Sequence, residues 1–232
     1  MTDQPKSPII ELKQIRKSYG VGTPVVTEVL HGIDLLIHEG EFAALTGPSG
    51  SGKSTLLNLI GLLEKPTSGQ LLVGGHDTAG LDDAAITALR GRSIGFIFQF
   101  HHLLPGFTAL ENVMMPSIID AGWPTTQAQE TALRLLDQVG LKDAANKRPS
   151  QLSGGMQQRV AVARALSLSP RLILADEPTG NLDTHSANDI FELLQSVNQT
   201  QKSACLIVTH DPALAARCAR QIQIVDGQLL PV

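Results

Sequence analysis

The stretch Gly47-Pro48-Ser49-Gly50-Ser51-Gly52-Lys53-Ser54-Thr55 limits what this chain can fold into more than any other. It follows an apolar run, Glu41–Thr46, that reads as a buried strand, and it opens a run, Lys53–Leu62, that reads as a helix. That context is what the P-loop pattern requires. Glycines there let backbone N–H groups turn inward around an anion while the helix presents its positive end. Lys53 can then reach the terminal phosphates and Ser54 can ligate Mg²⁺. An unliganded helix-capping turn is the plainer alternative, but every constrained position is filled and a strand precedes it. The expectation is a nucleoside triphosphate site.

Two further runs, Leu172–Ala175 and Ala204–Thr209, read as continuously buried strands, the mark of a parallel sheet covered on both faces. Earlier segments, Ile9–Lys17, Val25–His38 and Gly69–Val73, look antiparallel, punctuated by Gly20, Gly22, Gly32 and the turn Pro66-Thr67-Ser68-Gly69. From about residue 100 to 150 the character changes. Thr125–Val139 has helical spacing at Ala128, Ala132, Leu135, Leu136 and Val139, and the region reads as a helical insert. Asp226-Gly227 marks a hairpin turn near the end. The expected class is α/β: a P-loop core with a mixed, mainly parallel sheet, an N-terminal antiparallel subdomain and a helical insert. With 232 residues, 42% of them hydrophobic, residues 1–232 suit one such domain.

The chemistry narrows with the run Leu172-Ile173-Leu174-Ala175-Asp176-Glu177-Pro178. It sets two adjacent carboxylates at the C-terminal end of a buried strand, where ligands sit in open α/β folds. Asp176 is the expected Mg²⁺ partner, and Glu177 is placed to polarise an attacking water. His210 ends the Ala204–Thr209 strand on the same sheet edge, where an imidazole can hydrogen-bond a γ-phosphate and orient the water or Glu177. His31, His38, His76 and His185 lack such a context and read as surface or turn residues. Ser153 is a good N-cap, and Gly154 and Gly155 leave N–H groups uncovered ahead of a helical run to Leu166. Either this is an ordinary capped helix, or it is a second anion-ready helix start. One site cannot easily use two phosphate cradles on different faces, so the second reading implies two chains closing on each other's ATP.

Charge and composition exclude some partners. Eighteen Lys and Arg against 22 Asp and Glu leave a net charge of −4, which gives no support to a sequence-independent grip on nucleic acid. No run is long and apolar enough to span a bilayer, Leu56–Leu63 being short and broken by Asn58 and Gly61. The start, MTDQPKSPII, lacks the pattern of a secretory signal, so a cytosolic chain is expected. Cys205 and Cys218 read as packed thiols in a reducing compartment.

In these residues the chain resembles an ATP-binding-cassette nucleotide-binding domain over nearly its whole length. Tyr19 fits the aromatic that stacks on adenine, Gly47–Thr55 the Walker A loop and Gln99 the Q-loop. Leu152–Met156 fits the family signature, Leu172–Asp176 with Glu177 the Walker B strand, Asn181-Leu182-Asp183 the D-loop, and His210 the switch histidine. Met156 departs from the Gln or Glu of many members, while Ser153, Gly154 and Gly155 are intact. The resemblance implies ATP and Mg²⁺ as cofactors, the metal held by Ser54, Gln99 and Asp176. It implies a head-to-tail homodimer in which Ser153, Gly154 and Gly155 act in trans on the partner's ATP.

Asp176–Asp183 further resembles a subgroup that includes macrolide exporters, the cell-division cassette and the lipoprotein-releasing transporter of Gram-negative bacteria. Gln99–Pro116, with Ala145–Gly155, looks most like the ATP-binding subunit of the last. That resemblance implies an ATPase bound to two integral membrane subunits at the cytoplasmic face of the inner membrane. Those subunits would be received near residues 99–116, where apolar Leu103, Leu104, Phe107 and Leu110 suit a helix-in-groove contact. Packing beneath the insert competes for each of these four side chains. The alternatives are a macrolide or peptide exporter, a cell-division complex, and a soluble cassette acting on ribosomes or DNA. His101 and His102 lack a third ligand at metal spacing.

Overall fold

The computed structural model describes residues 8–23 and 25–231, so the reading of the first residues as a non-secretory start lies largely outside it. In chain order the elements are β1 (Pro8–Tyr19), β2 (Thr27–His38), β3 (Phe42–Thr46), α1 (Lys53–Ile60), β4 (Ser68–Val73) and β5 (His76–Asp77). Then come α2 (Asp83–Ser93), β6 (Ile94–Phe98), α3 (Ala109–Ala121), α4 (Thr126–Gln138) and α5 (Gly154–Ala165). The remainder is β7 (Leu172–Asp176), α6 (Thr184–Gln201), β8 (Ala204–Val208), α7 (Pro212–Ala216), β9 (Arg220–Val225) and β10 (Gln228–Leu229).

The N-terminal strands form an antiparallel sheet in the order β2-β1-β4-β5, with Leu12 opposite Leu35 and Leu71. The second sheet runs β10-β9-β3-β8-β7-β6, parallel at every pairing except β10 with β9. Along β7 the side chains alternate between two cores, because successive residues of a strand point to opposite faces. Leu172 and Leu174 pack with Leu56, Leu57 and Ile60 of α1 and with the antiparallel sheet. Ile173 and Ala175 pack with α3 to α6. Every residue from Leu172 to Ala175 is buried, as a run apolar on both faces predicts.

Several expectations are corrected in detail. β2 begins at Thr27, leaving Val25 and Val26 exposed, because its inward positions Leu30, Ile33, Leu35 and Ile37 carry the packing. α1 stops at Ile60, with Gly61 as its C-cap, short of the expected Leu62. Of the histidines read as surface or turn residues, His76 in β5 and His185 in α6 are exposed, whereas His31 and His38 are half-buried in β2; all four sit in strands or helices and not in turns. Helix α2 and strand β6 have no distinct signature in the sequence pattern; α2 buries only Ile86. β6 is also unusual in how closely helices approach it. A Cβ on Gly95 would lie 2.5 Å from the Ala165 carbonyl oxygen of α5, and a Cβ on Gly61 would lie 2.4 Å from the Phe96 ring. The strand is therefore wedged between the end of the P-loop helix and the end of α5.

In the helical region, α4 begins one residue inside the expected Thr125–Val139, with the Thr125 hydroxyl accepting from the Ala128 N–H. α3 opens on a reciprocal capping box between Thr108 and Glu111, which satisfies two otherwise free N–H groups. Cys205 is buried and Cys218 half-buried, both as free thiols. Burial pushes the Cys205 thiol well above its ordinary value and the Cys218 thiol up to about 11, which leaves both protonated and poorly reactive at neutral pH.

Candidate active site in the P-loop cleft

The cleft is built where β3 ends. Gly47, Gly50 and Gly52 carry φ of 153°, 79° and 104°, and a Cβ on Gly47 would lie 2.1 Å from the Ile224 carbonyl oxygen. Only glycine fits that approach. Among the described residues, α1 alone of the α-helices starts without a side-chain cap. Asp82, Thr108, Thr125, Ser153, Asp183 and Asp211 cap the others. Its uncapped N–H groups face a cleft of about 460 Å³ lined by Gly47, Ser49, Gly50, Gly52, Lys53, Ser54, Thr55, Asp176, Glu177 and His210. The Lys53 ammonium reaches over the loop and donates to the carbonyls of Gly47 and Pro48, at 2.8 and 2.7 Å. Such a cradle fits a polyphosphate: free donors, an aligned helix dipole and one cation.

Asp176 and Glu177 stand on the opposite wall. Burial, with the neighbouring Glu177 charge, raises the Asp176 carboxyl above its ordinary pKa, and Lys53 works against that. A carboxylate so placed fits a hard cation that takes its remaining ligands from phosphate, water and the Ser54 hydroxyl. Glu177 adopts φ of 46°, a left-handed conformation that an L-residue occupies at a cost of about 1 kcal/mol or more. The strain is held by two bonds, from the Glu177 N–H to the Val208 carbonyl and from the Gly180 N–H to the Glu177 carbonyl, each 3.0 Å. Its effect is to turn the carboxylate toward His210, whose Nδ1 lies 3.0 Å from Oε2. A carboxylate oriented by an imidazole beside a phosphate cradle can accept a proton from water.

The remaining expected residues lie outside this cleft. Gln99 follows β6 and exchanges hydrogen bonds with Asn181: its amide donates to Oδ1, and Asn181 donates back to the Gln99 carbonyl, both at 3.3 Å. Asp183 caps α6, accepting from the N–H groups of His185 and Ser186 and from the Ser186 hydroxyl, which hold its carboxyl below the usual range. Ser153 caps α5 through the Met156 N–H at 3.3 Å, and neither it nor Gly154 or Gly155 lines the cleft. Tyr19 is half-exposed on β1, its hydroxyl donating to Glu64 and Lys17 lying 5.0 Å from its ring centroid.

Of the four expected partner-contact residues, Leu103 and Leu110 are partly buried against the helical core, whereas Leu104 and Phe107 stay 39% and 42% exposed. Packing beneath the insert claims the first pair and leaves the second free. Phe100, Ile119 and Trp123, which sequence reasoning did not single out, are 66%, 73% and 67% exposed. Three polar residues also escaped it. Asn112 is fully buried and binds the loop ahead of α3; on α5, Gln158 binds the last carbonyl of β6 and Arg164 the segment after it. A polar side chain on the apolar stripe of a helix was the available signal for Asn112; Gln158 and Arg164 look like solvated helix residues. The hairpin at Asp226-Gly227 is more than a surface turn. The Gly227 N–H donates to the Ser51 carbonyl and its own carbonyl accepts from the His31 N–H, both at 3.0 Å, tying the P-loop to β2.

Comparison with known proteins agrees with this geometry. The family described as ABC transporter matches residues 30–180. The chain is 58% identical to the lipoprotein-releasing system ATP-binding protein LolD 1 of Rhodopseudomonas palustris, over 95% of this chain and 98% of that protein. It is also 58% identical to the lipoprotein-releasing system ATP-binding protein LolD of Anaeromyxobacter dehalogenans, over 99% of this chain and 96% of that one. Among solved structures, the dimeric post-hydrolysis state of the ATP-binding cassette MJ0796, bound to ADP and Pi, superposes with a TM-score of 0.86. It is 42% identical over 96% of this chain and 97% of that one. With the P-loop cradle, the strand-end carboxylates and the histidine on one sheet edge, and identity of this extent along the chain, the protein belongs to the ABC transporter family.

Proposed function

We propose that this chain is the ATP-hydrolysing subunit of a lipoprotein-releasing transporter, a translocase that moves lipidated proteins from the inner membrane toward a periplasmic carrier. The observation that carries the reading is an incomplete site. The cleft brings Lys53, Asp176, Glu177 and His210 together, while the capped start of α5 at Ser153-Gly154-Gly155 lies outside it. A second copy, placed head to tail, supplies those donors to the open side of the nucleotide. Residues 1–232 act as one cassette whose helical insert spans about residues 100–150. No helix among the described residues is long and apolar enough to cross a membrane. Two integral subunits carry the cargo path. The ATPase sits peripherally on them, at the cytoplasmic face of the inner membrane.

Hydrolysis then assigns roles within the cleft. Gly47 to Thr55 cradle the phosphates, with Lys53 on the terminal ones, and Tyr19 stacks on adenine. Ser54, Asp176 and Gln99 would hold Mg²⁺, which when bound would offset charge on the phosphate oxygens. Glu177 accepts a proton from water as its oxygen bonds to the γ-phosphorus. The bond from that phosphorus to the β–γ bridging oxygen breaks, and ADP leaves with the electron pair. His210 fixes the Glu177 carboxylate and reads the γ-phosphate, and Asp183 orders the turn between the two sites. Closure on ATP and opening after hydrolysis move Leu104 and Phe107 against the membrane subunits.

The test is Glu177→Gln, which keeps size and hydrogen bonding but cannot take the proton. ATP binding should persist, turnover should fall at least about a hundredfold, and an ATP-trapped dimer should elute on size exclusion. Normal hydrolysis by the purified variant would refute the general-base assignment. Affinity capture from solubilised membranes should bring two integral subunits of a lipoprotein-releasing system.

A further inference from the structure

The four residues Gln99 to His102 join the end of β6 to the exposed Leu104–Phe107 loop, and α5 holds both β6 and this segment. The Gly95 backbone lies against the Ala165 carbonyl so closely that a Cβ would be 2.5 Å from it. The buried Gln158 amide donates to the Phe98 carbonyl at 3.3 Å. The Arg164 guanidinium then donates to two successive carbonyls, those of His101 at 2.8 Å and His102 at 2.7 Å. His102 has φ of 46°, a left-handed conformation, and its ring packs edge-on to Phe98 at 5.2 Å. A strained residue persists only where its surroundings over-determine it, and here a fork of fixed geometry holds the carbonyls on both sides of the strained Cα. Beyond the segment, Asn112 ties Leu104 and Phe107 to α3 through the carbonyl of each. At the other end of α5 stand Ser153, Gly154 and Gly155.

We propose that Arg164 is the positioning residue that locks segment 99–102 to α5, so that displacement of the Leu104–Phe107 loop by a membrane subunit carries Ser153, Gly154 and Gly155 with it. The proposal rests on the reading that Leu104 and Phe107 meet the membrane subunits. Arg164 does not line the nucleotide cleft. Its effect falls on how often the start of α5 is presented to the facing ATP, which is a matter of turnover and not of nucleotide affinity.

The test uses the complete complex with its membrane subunits. Arg164→Met keeps the stem and removes the fork. The complex should still assemble, KM for ATP should stay within about twofold, and kcat should fall about tenfold. Arg164→Lys, a point charge reaching one carbonyl at a time, should recover part of that loss. Leu104→Ala should lower kcat about threefold in the native background and add almost nothing in the Arg164→Met background, the non-additivity of groups on one path. Losses that multiply, or an Arg164→Met complex with normal kcat, would overturn the proposal. Should Arg164→Met fail to fold, Arg164→Lys decides. Reduced kcat at unchanged KM, with faster amide exchange over residues 101–104, supports the lock, and native values for both overturn it. If Leu104→Ala changes nothing and Leu104→Asp with Phe107→Asp still captures the membrane subunits, the partner-contact reading fails. The kcat of Arg164→Met, read separately, still decides whether the lock exists.

Discussion

Asn112→Ala isolates what holds the partner-facing loop. Asn112 has no exposed surface. Its side-chain oxygen accepts from the Leu104 N–H at 2.7 Å, and its amide donates to the carbonyls of Thr108, Leu104 and Phe107 at 2.9, 3.2 and 3.3 Å. Two of those carbonyls keep another donor after truncation: Thr108 accepts from the Asn112 N–H at 2.9 Å and Leu104 from the Phe107 N–H at 3.1 Å. The principal orphan is therefore the Leu104 N–H, at about 1–2 kcal/mol, with about 1 kcal/mol more for the small cavity. A loss of about 2–3 kcal/mol corresponds to a urea midpoint lower by about 1 M at an m-value of about 2–3 kcal/mol/M. Equilibrium unfolding followed by circular dichroism measures the shift. ATP binding, housed in a different core, should be unchanged, while capture of membrane subunits should weaken as Leu104 and Phe107 lose their fixed spacing. A midpoint within about 0.2 M of the native value, at unchanged m, would refute this account of the loop.

Other parts of the structure make equally definite claims. Asp176→Asn should stabilise the nucleotide-free protein at neutral pH. The folded-state pKa of Asp176 is raised, chiefly by burial, so the folded state binds its proton more tightly than the unfolded chain. Its penalty is full above the raised pKa and vanishes as pH falls below the ordinary carboxylate value; the melting-temperature advantage of Asp176→Asn should therefore shrink on acidification. An advantage that grows on acidification would contradict the sign. Gly227→Ala places a Cβ 2.2 Å from the Val29 carbonyl oxygen at φ of 71°. It should loosen the hairpin from Ser51 and weaken nucleotide binding about tenfold in a fluorescent-nucleotide titration, equivalent to about 1.4 kcal/mol. Native affinity in a folded Gly227→Ala protein would show that the hairpin does not brace the P-loop. Thr108→Ala removes one half of the α3 capping box and should cost about 1 kcal/mol in unfolding free energy, with little effect on basal turnover.

What the residues alone determined is what rests on local rules. Glycines at positions that need positive φ, a lysine at the helix start and an apolar run before them define the P-loop, since each follows from backbone sterics and hydrogen bonding within a few residues. The buried strands Leu172–Asp176 and Ala204–Val208 were legible because a face-to-face covered strand must be apolar throughout. Tertiary structure decided the contacts between distant segments. That Leu103 turns inward and Leu104 outward, though both are leucine, depends on Asn112 eight residues beyond Leu104 pinning the loop. That Glu177 meets His210 depends on β7 and β8 being neighbours, although the two residues lie 33 apart in sequence. The grip of Arg164 on His101 and His102 spans more than sixty positions and takes only carbonyl oxygens, which every residue offers, so no residue type in segment 99–102 announces it.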